Sequence, residues 1–169
     1  MAAPALRVAV LAPVLLWTAC SLDPVQHEVL TCEAPELDTT QWREVTAATY
    51  RFHVPAAFTL GADNRWESGR AWVRPGVIAP GEFESEPPER LLDFHECRAI
   101  VGGRDMLLQY GVTSVSSRFG PGIYMAANWG TLQVPPPGTS GLLVMEAWTP
   151  SETDFEVFWS IFWSMVVTS

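Results

Sequence analysis

Hydrophobic and polar residues alternate with a period of two along most of this chain, and the period changes to that of a helix only near its end. In Thr49–Val54, Tyr50, Phe52 and Val54 fall on one side and Arg51 and His53 on the other, which is the pattern of a half-buried strand ended by Pro55. Turn chemistry follows at Gly61–Asn64, and Gly69–Arg74 alternates again before Pro75-Gly76, where a second strand is expected to stop. The clearest feature is the pair of apolar runs Cys97–Val101 and Arg104–Tyr110, which flank Gly102-Gly103. Tight hairpin turns need positive φ, which glycine adopts without steric cost, so the pair predicts a β-hairpin. Gly122–Trp129 and Gly141–Trp148, separated by the Pro135–Gly138 loop, extend it to four consecutive strands, a meander.

From Thr149 the signals are helical. Thr149 is placed as a cap, Pro150 at the first helical position, and Glu152 to reach back to the cap. Phe155, Phe158, Trp159 and Phe162 then recur at i, i+3, i+4 and i+7, with Val157 and Ile161 widening the stripe. Met165–Val167 is expected to close the chain as a last short strand. Strands first and a covering helix last predict an α+β fold, a single antiparallel β-sheet (a meander) packed against one C-terminal α-helix. In topology alone this order is similar to the compact sheet-and-helix domains of the PsbP family, and no function is implied by that likeness.

Two stretches lack periodicity. Ser21 to Gln41 is polar and acidic with Pro24 and Pro35, and is read as a tether. Ile78 to Arg90 combines prolines, glycine and four glutamates, and is read as an exposed loop.

Composition limits the number of cores and the class of partner. The chain has 169 residues, of which 48% are hydrophobic, with eight tryptophans and eight phenylalanines. That is enough apolar surface for one domain of ordinary size and no more. The net charge is −9, or −10 once Arg7 is removed with the leader described below. All ten basic residues are arginine. A surface of this sign repels phosphate backbones and anionic headgroups, which argues against nucleic acid as a partner and against membrane attachment through a basic patch.

The first twenty residues supply another route to the membrane. Arg7 precedes the apolar run Val8–Ala19, whose length suits a signal-peptide core and falls short of the roughly 20 residues of a spanning helix. Trp17-Thr18-Ala19-Cys20-Ser21 follows directly. It resembles the lipobox of bacterial lipoproteins, with Trp17 standing where the family usually has leucine. The resemblance covers the first twenty-one residues and implies cleavage before Cys20 and diacylglycerol on its sulfur. It also implies residence in the bacterial cell envelope; by the family's sorting habit in Gram-negative bacteria, Ser21 implies the outer membrane, facing the periplasm. An ordinary secreted or periplasmic protein, with Cys20 a plain thiol, is the alternative. The resulting division is a signal peptide over 1–19, a lipidated cysteine and acidic tether over 20–45, and one extracytoplasmic domain over 46–169.

With Cys20 assigned to the anchor, Cys32 and Cys97 remain, and an even pair in an oxidising compartment is most economically a disulfide. There is no Cys-x-x-Cys pair that would point to redox or metal chemistry instead.

Candidate chemistry is sparse. His95-Glu96 beside Cys97 combines an imidazole with a carboxylate, and with His53 could serve an envelope enzyme or a metal site. Adjacent strand residues point to opposite faces, however, which opposes convergence on one ion. The chain has no Gly-x-Ser-x-Gly elbow and no phosphate-cradling Gly-rich loop. No catalytic residue, metal or cofactor is therefore assigned. The final helix is apolar around most of its circumference, and Trp159 and Trp163 sit one turn apart on it. If the sheet covers only one side, these two mark a surface for an envelope protein or other ligand; if the rest of the chain covers the flanks, they are core. The sequence-level expectation is thus a non-catalytic envelope lipoprotein that binds or scaffolds an unspecified partner.

Overall fold

A computed structural model describes residues 30–79, 91–134 and 139–168. Eleven strands and one α-helix follow in chain order: β1 (Leu30–Thr31), β2 (Arg43–Thr46), β3 (Tyr50–Val54), β4 (Thr59–Leu60), β5 (Trp66–Ser68), β6 (Ala71–Ile78), β7 (Leu91–Val101), β8 (Arg104–Thr113), β9 (Gly122–Val134), β10 (Thr139–Thr149), α1 (Phe155–Trp163) and β11 (Val166–Val167). The fold is α+β and predominantly β. The single antiparallel sheet expected from the pattern is corrected on two counts. The main sheet has eight strands in the order β1-β7-β8-β9-β10-β6-β5-β4, and a second sheet has three, β11-β3-β2. The main sheet is mixed, because β1 runs parallel to β7, with Leu30 opposite Cys97 and Thr31 opposite Arg98.

The meander itself is present as β7 to β10, four neighbouring antiparallel strands. Val101 pairs with Arg104 across Gly102-Gly103, whose φ values are +59° and +79°. Gly102 is required for a second reason: a Cβ there would collide with the main chain of Met165 and Val166. The turn that closes the hairpin therefore also receives the end of the chain.

One face of the main sheet carries the larger core. Val73, Met106, Leu108, Met125, Trp129, Leu143 and Met145 point into it and are buried. Two pieces cover that face. One is α1, through Phe158, Ile161 and Phe162; the other is the three-stranded sheet, through Phe52 and Val54. Residues 158 to 162 of α1 are all buried. At 100° per residue, five in succession cover the whole circumference, so this half of the helix lies between layers and is not exposed on one side.

The N-terminus of α1 differs from expectation. Asp154 stands at its N-cap with no side-chain capping bond, and the helix is entered through a 3-10 turn over Glu152–Asp154 that Ser151 caps, its hydroxyl accepting from the Thr153 N–H. Thr149 Oγ1 instead accepts from the Ser151 N–H and donates to Asp154 Oδ2 at 2.7 Å.

β6 also runs further than its sequence suggested, through Pro75-Gly76 to Ile78. β5 pairs with it only as far as Val73. Among the described residues no strand pairs with that edge of β6 beyond Val73, so a proline there forfeits no ladder bond to one of them. The Asn64 side-chain N–H caps the Pro75 carbonyl on that side at 2.8 Å.

The segment read as a tether over 20–45 is structured from Leu30 onward. It enters the main sheet as β1 and the small sheet as β2, so the domain starts well before residue 46. Cys20, the leader and the Pro80–Arg90 part of the expected loop lie outside the described residues.

Candidate functional site

A cleft of about 650 Å³ opens where the N-terminal segment crosses the edge of the main sheet. Its outer wall is the strap Glu33–Leu37, its floor the pair His95 and Tyr110 on β7 and β8, and its far wall the first turns of α1 with Phe155, Glu156 and Trp159.

Three bonds fix the strap. Cys32 and Cys97 form a disulfide, as the parity of cysteines indicated, closing 65 residues of chain. The Trp159 indole N–H donates to the Glu33 carbonyl at 2.8 Å. The Cys32 N–H also donates to the Arg98 carbonyl at 2.8 Å, which extends the parallel pairing of β1 by one bond.

Aromatic rings line the inner wall. Tyr110 lies 5.4 Å from Phe155 and 5.7 Å from Trp159, and Phe155 stacks on Trp159 at 5.3 Å. His95 stacks on the Tyr110 ring at 5.0 Å from the sheet side. Desolvation raises the Tyr110 phenol above its ordinary value, so it stays neutral throughout the physiological range. Around these rings stand Glu33, Glu36, Glu96 and Glu156; no arginine lines the cleft among the described residues.

The residues singled out from sequence are distributed as follows. Trp159 is buried, with a relative exposure of 8%, and Trp163 is half-buried and stacked on it at 5.6 Å. The large aromatic surface therefore faces inward, and only its rim reaches the cleft. His95 and Glu96 both border the cleft, but their partners differ: His95 pairs across the ladder with Tyr110, whereas Glu96 accepts from the Gln109 side-chain N–H at 2.7 Å. His53 is elsewhere, on β3 in the other sheet, 3.9 Å from Glu44. Among the described residues no three His, Cys, Asp or Glu side chains come together in a group that could hold a metal ion. No described helix is long and apolar enough to cross a membrane.

Sequence reasoning missed a second polar feature, on the opposite face of the main sheet. Glu146 on β10 is buried there. Arg74 on β6 donates to one of its carboxylate oxygens and the Tyr124 hydroxyl on β9 to the other, at 2.7 Å, while Arg118 lies 3.8 Å away. Trp72, Phe119, Tyr124 and Trp148 surround the carboxylate, and Arg65 and Arg70 lie over the Trp72 and Trp148 rings at 4.6 and 5.6 Å. The cross-strand register sets up this network, with Glu146 between Arg74 and Ala126 and Trp148 between Trp72 and Tyr124. The only hint in the sequence is that Glu146 stands between Met145 and Ala147 in an apolar strand. Since both oxygens of the Glu146 carboxylate are taken by neighbouring donors, the arrangement holds the sheet and the 114–121 connection together.

No family model matches this chain, and no curated protein matches it.

Proposed function

We propose that this chain is a lipid-anchored protein of a bacterial cell envelope whose domain binds or scaffolds another envelope component without catalysing a reaction. The observation that carries the reading is the Cys32–Cys97 bridge, a bond that persists in oxidising compartments outside the cytoplasm. It stands twelve residues after the lipobox cysteine, Cys20. The two features support each other: the leader delivers the chain to the compartment in which the bridge is stable.

The position of the bridge also suits an anchored protein. Nine residues lie between Cys20 and Leu30, and the ten Cα steps across them span at most roughly 35 Å when fully extended. A pull on the anchor reaches the domain through β1, a two-residue strand that could otherwise be peeled from the edge of the sheet. The disulfide passes that load to β7, which is paired along its length with β8. The cleft beside the bridge is the binding surface in this account, and the envelope partner meets it close to the membrane; Ser21 favours the outer membrane.

The test is fractionation in a bacterial host. The unaltered protein is expected in the membrane fraction and in the detergent phase on partitioning. Cys20→Ser is expected to release it in soluble or unprocessed form with the Cys32–Cys97 bridge intact. Soluble recovery of the unaltered protein would overturn the anchor.

A further inference from the structure

We propose that one end of the main sheet, formed by the start of β7 and the β8–β9 connection, rests on the membrane surface, with Leu92, Phe94 and Val115 set among zwitterionic headgroups. This rests on the lipidation of Cys20 and goes beyond it by naming the face of the domain that meets the lipid.

Apolar side chains are turned to solvent at that end. Leu92 and Phe94 flank Asp93 where the pairing of β7 with β8 is irregular and Asp93 takes a φ of +49°. Leu92 is 59% exposed and Phe94 38%. Val115, 85% exposed, stands in the turn that follows β8, three residues beyond Val112, the cross-strand partner of Leu92. Exposed apolar groups gathered in one place mark a surface that meets lipid or another apolar body.

The turn that carries Val115 is suited to losing water. The Ser117 N–H donates to the Ser114 carbonyl at 3.1 Å and the Ser116 N–H to the Ser114 hydroxyl at 3.3 Å. The Ser114 and Ser116 hydroxyls bond each other at 2.7 Å, and the Gly120 carbonyl accepts from the Thr113 hydroxyl at 2.6 Å. Polar groups that already bond one another cost far less to move out of water than unbonded ones.

The direction and length of the segment that follows the anchor identify lipid as the occupant. β1 is parallel to β7, with Leu30 opposite Cys97, so the chain enters β1 from the side of Leu92. Leu30 is level with a point five residues along β7 from Leu92, or roughly 17 Å. Of the extended reach of roughly 35 Å between Cys20 and Leu30, about half is used in drawing level with Leu92. With this end turned to the bilayer, the anchored cysteine therefore lies within roughly 20 Å of it. The opposite orientation, with Gly102-Gly103 toward the lipid, requires the chain to reverse its direction before Leu30. The net charge of −9 and the exposed Asp93 at this end give anionic headgroups no attraction, so the contact is made by apolar side chains with neutral headgroups.

The experiment places one environment-sensitive fluorophore on the lipidated full chain, through Val115→Cys or, as control, Ile100→Cys. Ile100 is 71% exposed and lies eight residues along β7 from Leu92, or roughly 25 Å. Each chain is reconstituted in phosphatidylcholine vesicles containing lipid spin-labelled high on the acyl chain. Emission from position 115 is expected to shift to the blue and to be quenched by the spin-labelled lipid, and emission from position 100 to do neither. Adding Leu92→Asp to the chain labelled at 115 should remove most of the quenching, with thermal melting unchanged because Leu92 is exposed. Quenching at neither position, equal quenching at both, or quenching unaltered by Leu92→Asp would each overturn the proposal. A blue shift at 115 that grows with protein density and is not quenched by lipid would show a second copy covering this end, and would overturn it too. The intact mass of the reconstituted chain separates this proposal from the reading it rests on. Absence of lipid on Cys20 removes both, whereas lipid on Cys20 without quenching at 115 removes the membrane-facing surface alone.

Discussion

The indole nitrogen of Trp159 donates to the main-chain carbonyl of Glu33 at 2.8 Å, across 126 residues of sequence. The bond joins α1 to the strap that follows β1, and so ties together two sides of the cleft. The ring of this tryptophan belongs to the core and its single donor to the strap.

Trp159→Phe keeps an aromatic ring in the core and removes that donor. The expected loss is about 1 kcal/mol, the net value of one such bond, together with faster amide exchange over residues 32–37. Urea denaturation and hydrogen exchange measure the two effects. Trp159→Ala should cost about 3–5 kcal/mol through the cavity it leaves, which is more than loss of a surface contact would produce.

Glu146 offers a sharper test of the opposite face. Its side chain is 4% exposed, whereas that of Arg74 is 40% exposed. Glu146→Ala removes the counter-charge of Arg74 and the acceptor of Tyr124 in one step. A loss of roughly 3 kcal/mol is expected, moderated because Arg74 can turn to solvent. Glu146→Gln keeps the shape and the acceptor for Tyr124, so its cost should be clearly smaller. Equal effects of the two substitutions in chemical denaturation would count against the network.

Stability should fall in alkali. Burial raises the phenols of Tyr50 and Tyr110, with a hydrogen bond from Asn64 acting in the opposite sense on Tyr50. A raised folded-state value means that the stabilisation is complete below the ordinary phenol value of about 10 and is lost as pH rises above it through the folded values. Thermal melts at pH 9 and pH 11 should therefore differ more for the unaltered chain than for Tyr110→Phe.

Much of the strand arrangement was legible because it rests on local rules. Gly102-Gly103 set the β7–β8 hairpin, and Phe158 and Phe162 marked the buried side of α1. What was missed depends on register and distance. The parallel pairing of Leu30 with Cys97 involves two residues, too few to leave a periodic trace, so β1 was read as tether. Pro75 reads as a strand end because sequence cannot show that the pairing of β5 with β6 stops at Val73. Thr149 does not cap α1 because it is held at the end of β10, and a 3-10 turn capped by Ser151 comes between the two. The cleft was half visible: His95, Glu96 and Trp159 were noted separately, but Tyr110, Phe155 and the strap glutamates join them only through the disulfide and the helix crossing. The Glu146 network, set by cross-strand register, left only a lone carboxylate in an apolar run.

The most direct test of the central claim is the intact mass of the protein taken from the membrane fraction of its host, with and without reduction. The expected result is a chain beginning at Cys20 that carries a diacylglyceryl group and gains two daltons on reduction of the Cys32–Cys97 bridge. An unlipidated chain recovered from the soluble fraction, or one whose mass does not change on reduction, would contradict it.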